Sequence, residues 1–89
     1  MFNESVKIKD VKLQIGQLIK VLRKKNKLSQ EDLAQLLDLS RITIQNLESG
    51  KNFTIDTLLK VTQHFDLLDA LHQQLNEQLN EQKNLKSFY

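Results

Sequence analysis

The chain's 89 residues suffice for one modest core, and a composition with no Pro, two Gly and abundant Leu, Lys, Gln and Asn favours helix over sheet. The absence of Cys excludes disulfides and thiol chemistry, the only two His (His64 and His72) argue against a metal site, and no cofactor is expected. The net charge of +2 conceals an asymmetry: residues 1–51 carry ten Lys/Arg against six Asp/Glu, and residues 52–89 carry three against five, so only the first half suits a polyanion.

The first ten residues are ambiguous. Val6-Lys7-Ile8-Lys9 alternates like a strand, yet also suits an ordered arm or the front of a helix. Val11 to Asn26 has helical periodicity, with Asp10 as N-cap and Leu13 or Ile15, Leu18, Ile19 and Leu22 on one stripe. Ser29 caps a second helix, with Asp32 at the capping-box position and Leu33, Leu36 and Leu37 inward; it should stop near Asp38. Ser40 caps a third, Arg41 to Ser49, which buries Ile44 and Leu47 and ends at Gly50. Thr54 caps a fourth, with Ile55, Leu58, Leu59, Thr62 and Phe65 at helical spacing. Asp66 is the expected cap of the last, whose Leu68, Leu71, Leu75 and Leu79 recur every three or four residues. Gln82 to Tyr89 reads as a fraying tail. No apolar run approaches membrane length and the start lacks the apolar stretch of a signal peptide, so a cytoplasmic protein is expected.

The second and third helices form a specific pattern. Counting from Gln30, the fourth, eighth, tenth, fifteenth and eighteenth places are apolar: Leu33, Leu37, Leu39, Ile44 and Leu47. The fifth, Ala34, is small, as two helices crossing steeply over a tight turn require. This is a helix-turn-helix. The ninth place needs a left-handed backbone and holds Asp38 instead of Gly; Asp tolerates that conformation better than most residues.

The runs Ile15-Gly16-Gln17-Leu18-Ile19-Lys20-Val21-Leu22-Arg23, Leu28-Ser29-Gln30-Glu31-Asp32-Leu33-Ala34 and Ser40-Arg41-Ile42-Thr43-Ile44-Gln45-Asn46-Leu47-Glu48-Ser49-Gly50-Lys51 resemble the Cro/phage-repressor (XRE) family. The resemblance covers residues 11–68 and implies an all-α, five-helix, lambda-repressor-like DNA-binding domain. Here it would have an N-terminal arm (residues 1–10) and an extended C-terminal helix with tail (residues 69–89). It also implies a transcriptional regulator, expected to be a repressor, that binds double-stranded DNA as a dimer. Thr54-Ile55-Asp56-Thr57-Leu58-Leu59-Lys60 and Phe65-Asp66-Leu67-Leu68 resemble antitoxin-type members more loosely. The alternative is therefore an antitoxin that also neutralises a toxin protein and regulates its own operon.

A recognition helix offers its N-terminal residues to base edges in the major groove. Opposite Ile44 and Leu47 stand Arg41, Ile42, Gln45 and Asn46. Arg41 suits guanine, Gln45 or Asn46 suits adenine, and Ile42 suits a thymine methyl. Gln30 opens the second helix, where backbone N–H groups and the helix dipole favour a phosphate. Lys51 and Asn52 are expected phosphate contacts, as are Ser40 and Thr43, although capping alone accounts for Ser40. The resemblance further implies an Arg23–Glu48 ion pair joining the first and third helices, with Arg23 also reaching a phosphate.

The leucines of the last helix (Leu68, Leu71, Leu75 and Leu79, with Leu85 beyond) suggest a two-fold homodimer; folding back on the first helix is the other reading. An enzyme is not expected, since there is no Gly-rich loop and no His paired with carboxylates in a shared motif. His64-Phe65-Asp66 falls at a helix end. A protein–protein module is the stronger rival, but the outward Arg41, Gln45 and Asn46 favour DNA.

Overall fold

The computed structural model describes residues 5–86, with side chains to residue 84. Five helices follow in order: α1 (Ile8–Lys25), α2 (Gln30–Leu37), α3 (Arg41–Glu48), α4 (Ile55–His64) and α5 (Leu68–Lys86). The all-α, five-helix expectation holds, and no strand occurs among the described residues. Two boundaries move. α1 starts before Val11, because Asp10 is not its N-cap; its Oδ2 accepts from the Lys7 backbone N–H at 3.1 Å, closing the first turn from within. α5 runs on to Lys86, so most of the expected tail is helix; residues 1–4 of the expected arm and 87–89 of the tail lie outside the described residues.

The expected caps of α2, α3 and α4 are in place. Asp32 N–H donates to Ser29 Oγ at 2.9 Å, and Ser29 N–H donates to Asp32 Oδ2 at 2.9 Å. Thr43 N–H donates to Ser40 Oγ, and Thr57 N–H to Thr54 Oγ1, each at 3.1 Å. The exits share one device. α1, α2, α3 and α4 are each followed by a left-handed residue: Lys27 (φ 59°), Asp38 (φ 56°), Gly50 (φ 75°) and Asp66 (φ 59°). The next N–H then reaches back five residues: Leu28 to Arg23, Leu39 to Ala34, Lys51 to Asn46 and Leu67 to Thr62, at 2.8–3.0 Å. This pairing satisfies carbonyls that a helix end leaves open. Asp66 therefore ends α4 and does not cap α5.

α3 packs on both α1 and α2, α4 closes against α2, and α5 leans on α4. The core is Ile19, Leu33, Ala34, Ile44, Leu47 and Val61, with Ile15, Leu28, Leu37, Leu39, Phe53, Leu58 and Phe65 packed around it. Leu18, Leu36 and Ile55, expected inward, are exposed by about half or more, and of Leu13 and Ile15 it is Ile15 that packs against the core. The partner helix, not the periodicity, decides which edge of a stripe is covered. On α4 the buried residues are Thr57 and Val61.

Gly16 explains how α1 and α3 come so close. A Cβ there would stand 2.7 Å from the Leu47 carbonyl oxygen and nearer still to that of Glu48. Glycine in mid-helix is weakly unfavourable, so this close contact is what it secures. α5 begins half-buried, but every side chain from His72 to Asn84 is exposed.

Candidate nucleic-acid interface

α3 is eight residues long, so each side chain's direction follows from the 3.6-residue turn. Ile44 and Leu47 are fully buried against α1 and α2. The opposite arc is centred on Ile42, 66% exposed, with exposed Gln45 on one side and half-buried Asn46 on the other. Exposed Arg41 borders this arc on the Glu48 side, and half-buried Thr43 borders it on the Asn46 side. The four residues expected to read bases thus lie on one surface, unequally accessible. Ser49 turns its hydroxyl back to the carbonyls of Gln45 (3.0 Å) and Asn46 (3.2 Å).

On the Arg41 side, a hydrogen-bonded cluster joins three helices. Arg23 Nε donates to Glu48 Oε2 at 2.6 Å and Nη2 to Glu48 Oε1 at 3.0 Å. Nη1 donates to the Leu28 carbonyl at 2.8 Å. Gln30 Nε2 donates to the same Glu48 Oε1 at 3.1 Å. The Arg23 and Glu48 side chains are only 8% and 4% exposed. The Glu48 hydrogen bond raises the Arg23 pKa above its ordinary value, against the opposing pull of burial. Removing one partner of a buried pair typically costs about 3–5 kcal/mol, because the other charge is left behind. Arg23 is committed on all three guanidinium nitrogens, so it does not project from the surface as Arg41 does.

On the Asn46 side lies an open groove lined by Thr43, Asn46, Asn52, Phe53, Thr54 and Thr57. The Thr43 and Ser40 hydroxyls share a hydrogen bond of 2.8 Å, in which one donates and the other keeps its own O–H. Lys51 and Asn52 are exposed in the loop after α3. Lys12 of α1 donates to Asn52 Oδ1 at 2.7 Å. Sequence reasoning missed Lys12, since no local pattern links α1 to that loop. The close approach of buried Gly16 to the Glu48 carbonyl and of Leu13 to Gly50 comes from the same crossing.

Among the described residues no three His, Asp or Glu side chains gather as a metal site would need. No described helix is long and apolar enough to cross a membrane. No curated protein is similar enough to match the chain. The sequence profile of the helix-turn-helix family matches residues 19–70, which hold α2, α3 and α4 entire. That span is more than half of the chain, and the chain therefore belongs to the Cro/C1-type helix-turn-helix (XRE) family of DNA-binding regulators.

Proposed function

We propose that this protein is a sequence-specific transcriptional repressor that binds its operator as a homodimer, with α3 in the major groove. The observation that carries this reading is the outward arc of α3. It bears a cation, two amides and an apolar side chain, with no acidic residue among them. Arg41 pairs with guanine, Gln45 or Asn46 with adenine, and Ile42 covers a thymine methyl. Gln30 and the N-terminus of α2 hold a phosphate on one side; Ser40, Thr43, Lys51 and Asn52 hold the backbone on the other. Arg23 contributes by fixing Glu48, which in turn holds the Gln30 amide.

The dimer uses Leu68, Leu71, Leu75 and Leu79, of which Leu75 and Leu79 are 60% and 53% exposed. By helical periodicity Asp69, Glu77 and Glu81 turn away from this stripe, while Gln78 and Gln82 flank it. A two-fold contact sets one surface against its copy; with the carboxylates turned away and Lys83 one turn beyond Leu79, the leucines meet without bringing acidic residues together. In the antitoxin alternative a toxin occupies the same face.

Selection of tight binders from a random duplex pool, followed by guanine-N7 methylation interference, tests the proposal. It predicts two inverted half-sites with centres about 10 base pairs apart and interference at major-groove N7 atoms. A single unpaired half-site would contradict the dimer. Binding indifferent to N7 methylation would contradict the placement of α3.

A further inference from the structure

We infer that Lys12, on α1 and outside the helix-turn-helix, forms with Asn52 a two-donor clamp for one DNA phosphate beside the recognition helix. The inference rests on the DNA-binding reading above and adds a contact residue to it. Lys12 is half-buried, and its ammonium donates to Asn52 Oδ1 at 2.7 Å. That bond spends the acceptor end of the amide, so the Nδ2 donor is the end left for another acceptor. The ammonium keeps two further N–H groups of its own. The pair therefore presents donors and one positive charge together, and phosphate oxygens are what such a pair recognises.

Charge and position support this occupant. The partner of Lys12 is a neutral amide, and among the described residues the sole ion pair is Arg23–Glu48. No described carboxylate thus forms an ion pair with Lys12. Gly16 packs onto the last carbonyls of α3, and Leu13 lies against the position of Gly50. Lys12, one turn before Gly16, accordingly stands over the exit of α3, on the side of Asn46 and away from Gln30. α1 thereby serves both flanks of the reading helix: Arg23 at one end through Glu48, and Lys12 at the other through Asn52. A long lysine side chain already held by a hydrogen bond has less rotamer freedom left to lose on binding.

The alternative is a tie that only steadies the loop. The salt dependence of binding separates the two, because each phosphate neutralised contributes about 0.9 to the slope of log K against log salt. The full-length protein is titrated onto a short random-sequence duplex at several salt concentrations, as wild type, Lys12→Gln, Lys12→Arg and Asn52→Asp. The clamp predicts a slope smaller by about 0.9 for Lys12→Gln and an unchanged slope for Lys12→Arg. It predicts a reduced slope for Asn52→Asp, whose carboxylate neutralises Lys12 and repels phosphate. Melting curves taken alongside report the loop tie. A Lys12→Gln slope equal to wild type overturns the clamp, whether or not the melting point falls. A wild type without salt-dependent binding overturns the DNA-binding reading, and the clamp with it.

Discussion

At Asp38 the chain turns left-handed without a glycine, at φ 56° and ψ 46°. A side chain in that region costs about 1–2 kcal/mol, while glycine costs about 0.5–1 kcal/mol in lost freedom on folding. Asp38→Gly is therefore expected to range from neutral to stabilising by about 1 kcal/mol, raising Tm by up to about 4–8 °C in a domain of this size. Gly16 is the opposite case. Ala would gain about 1 kcal/mol of helix propensity but drive a methyl group into the Leu47 and Glu48 carbonyls. Overpacking against backbone costs about 1–3 kcal/mol, and two contacts this close place Gly16→Ala towards its upper end. Thermal melts should fall for Gly16→Ala and hold or rise for Asp38→Gly, and a clear fall for Asp38→Gly would contradict the strain assigned to that turn. Asp38 was legible in the sequence because its place in the motif is fixed by neighbours. The need for Gly16 was not, because α3 creates it from far along the chain.

The helices themselves were legible where the signals are local. Ser29, Ser40 and Thr54 each cap by a bond to an N–H three residues on, and that spacing is visible in the sequence. The start of α1 was not, since Lys7 supplies no capping side chain and Asp10 acts from inside the first turn. Lys27 and Asp66 escaped notice as left-handed residues because neither is a glycine. Leu18, Leu36 and Ile55 share a cause: periodicity gives the direction of a stripe, and its covered edge depends on a partner helix. The α2 capping box also carries a pH signature. Bonds from the Ser29 backbone N–H and hydroxyl lower the Asp32 pKa below its ordinary 3.8. A carboxyl with a depressed folded-state pKa stabilises above its unfolded pKa, and that share is lost as pH falls through the folded value. The gap in Tm between wild type and Asp32→Asn should thus be widest near neutrality and close below pH 3.8. A gap that is constant with pH would contradict the capping role of the carboxylate.

Across the whole molecule, α3 sits between two unlike supports. On one flank the buried Arg23–Glu48 pair and the half-buried Gln30 bonded to it join α1, α2 and α3. On the other, Lys51 and Asn52 lie in an exposed loop whose hydrogen bond to α1 comes from Lys12. Between them lies the outward arc of α3, which the proposed function assigns to the base edges. The basic half of the chain, legible from charge counts, is the half that holds all of this except Asn52. Which Lys and Arg side chains project and which are locked could only emerge from packing, as the contrast of Arg41 with Arg23 illustrates. The division of labour, with Arg41 for sequence and Lys51 for backbone, is the central claim. It is tested most directly by measuring the affinities of Arg41→Ala and Lys51→Ala for both the selected operator and a random duplex. The account predicts that Arg41→Ala loses about 1–3 kcal/mol on the operator and much less on the random duplex, whereas Lys51→Ala weakens both alike. Equal losses on the two duplexes for both variants would contradict it.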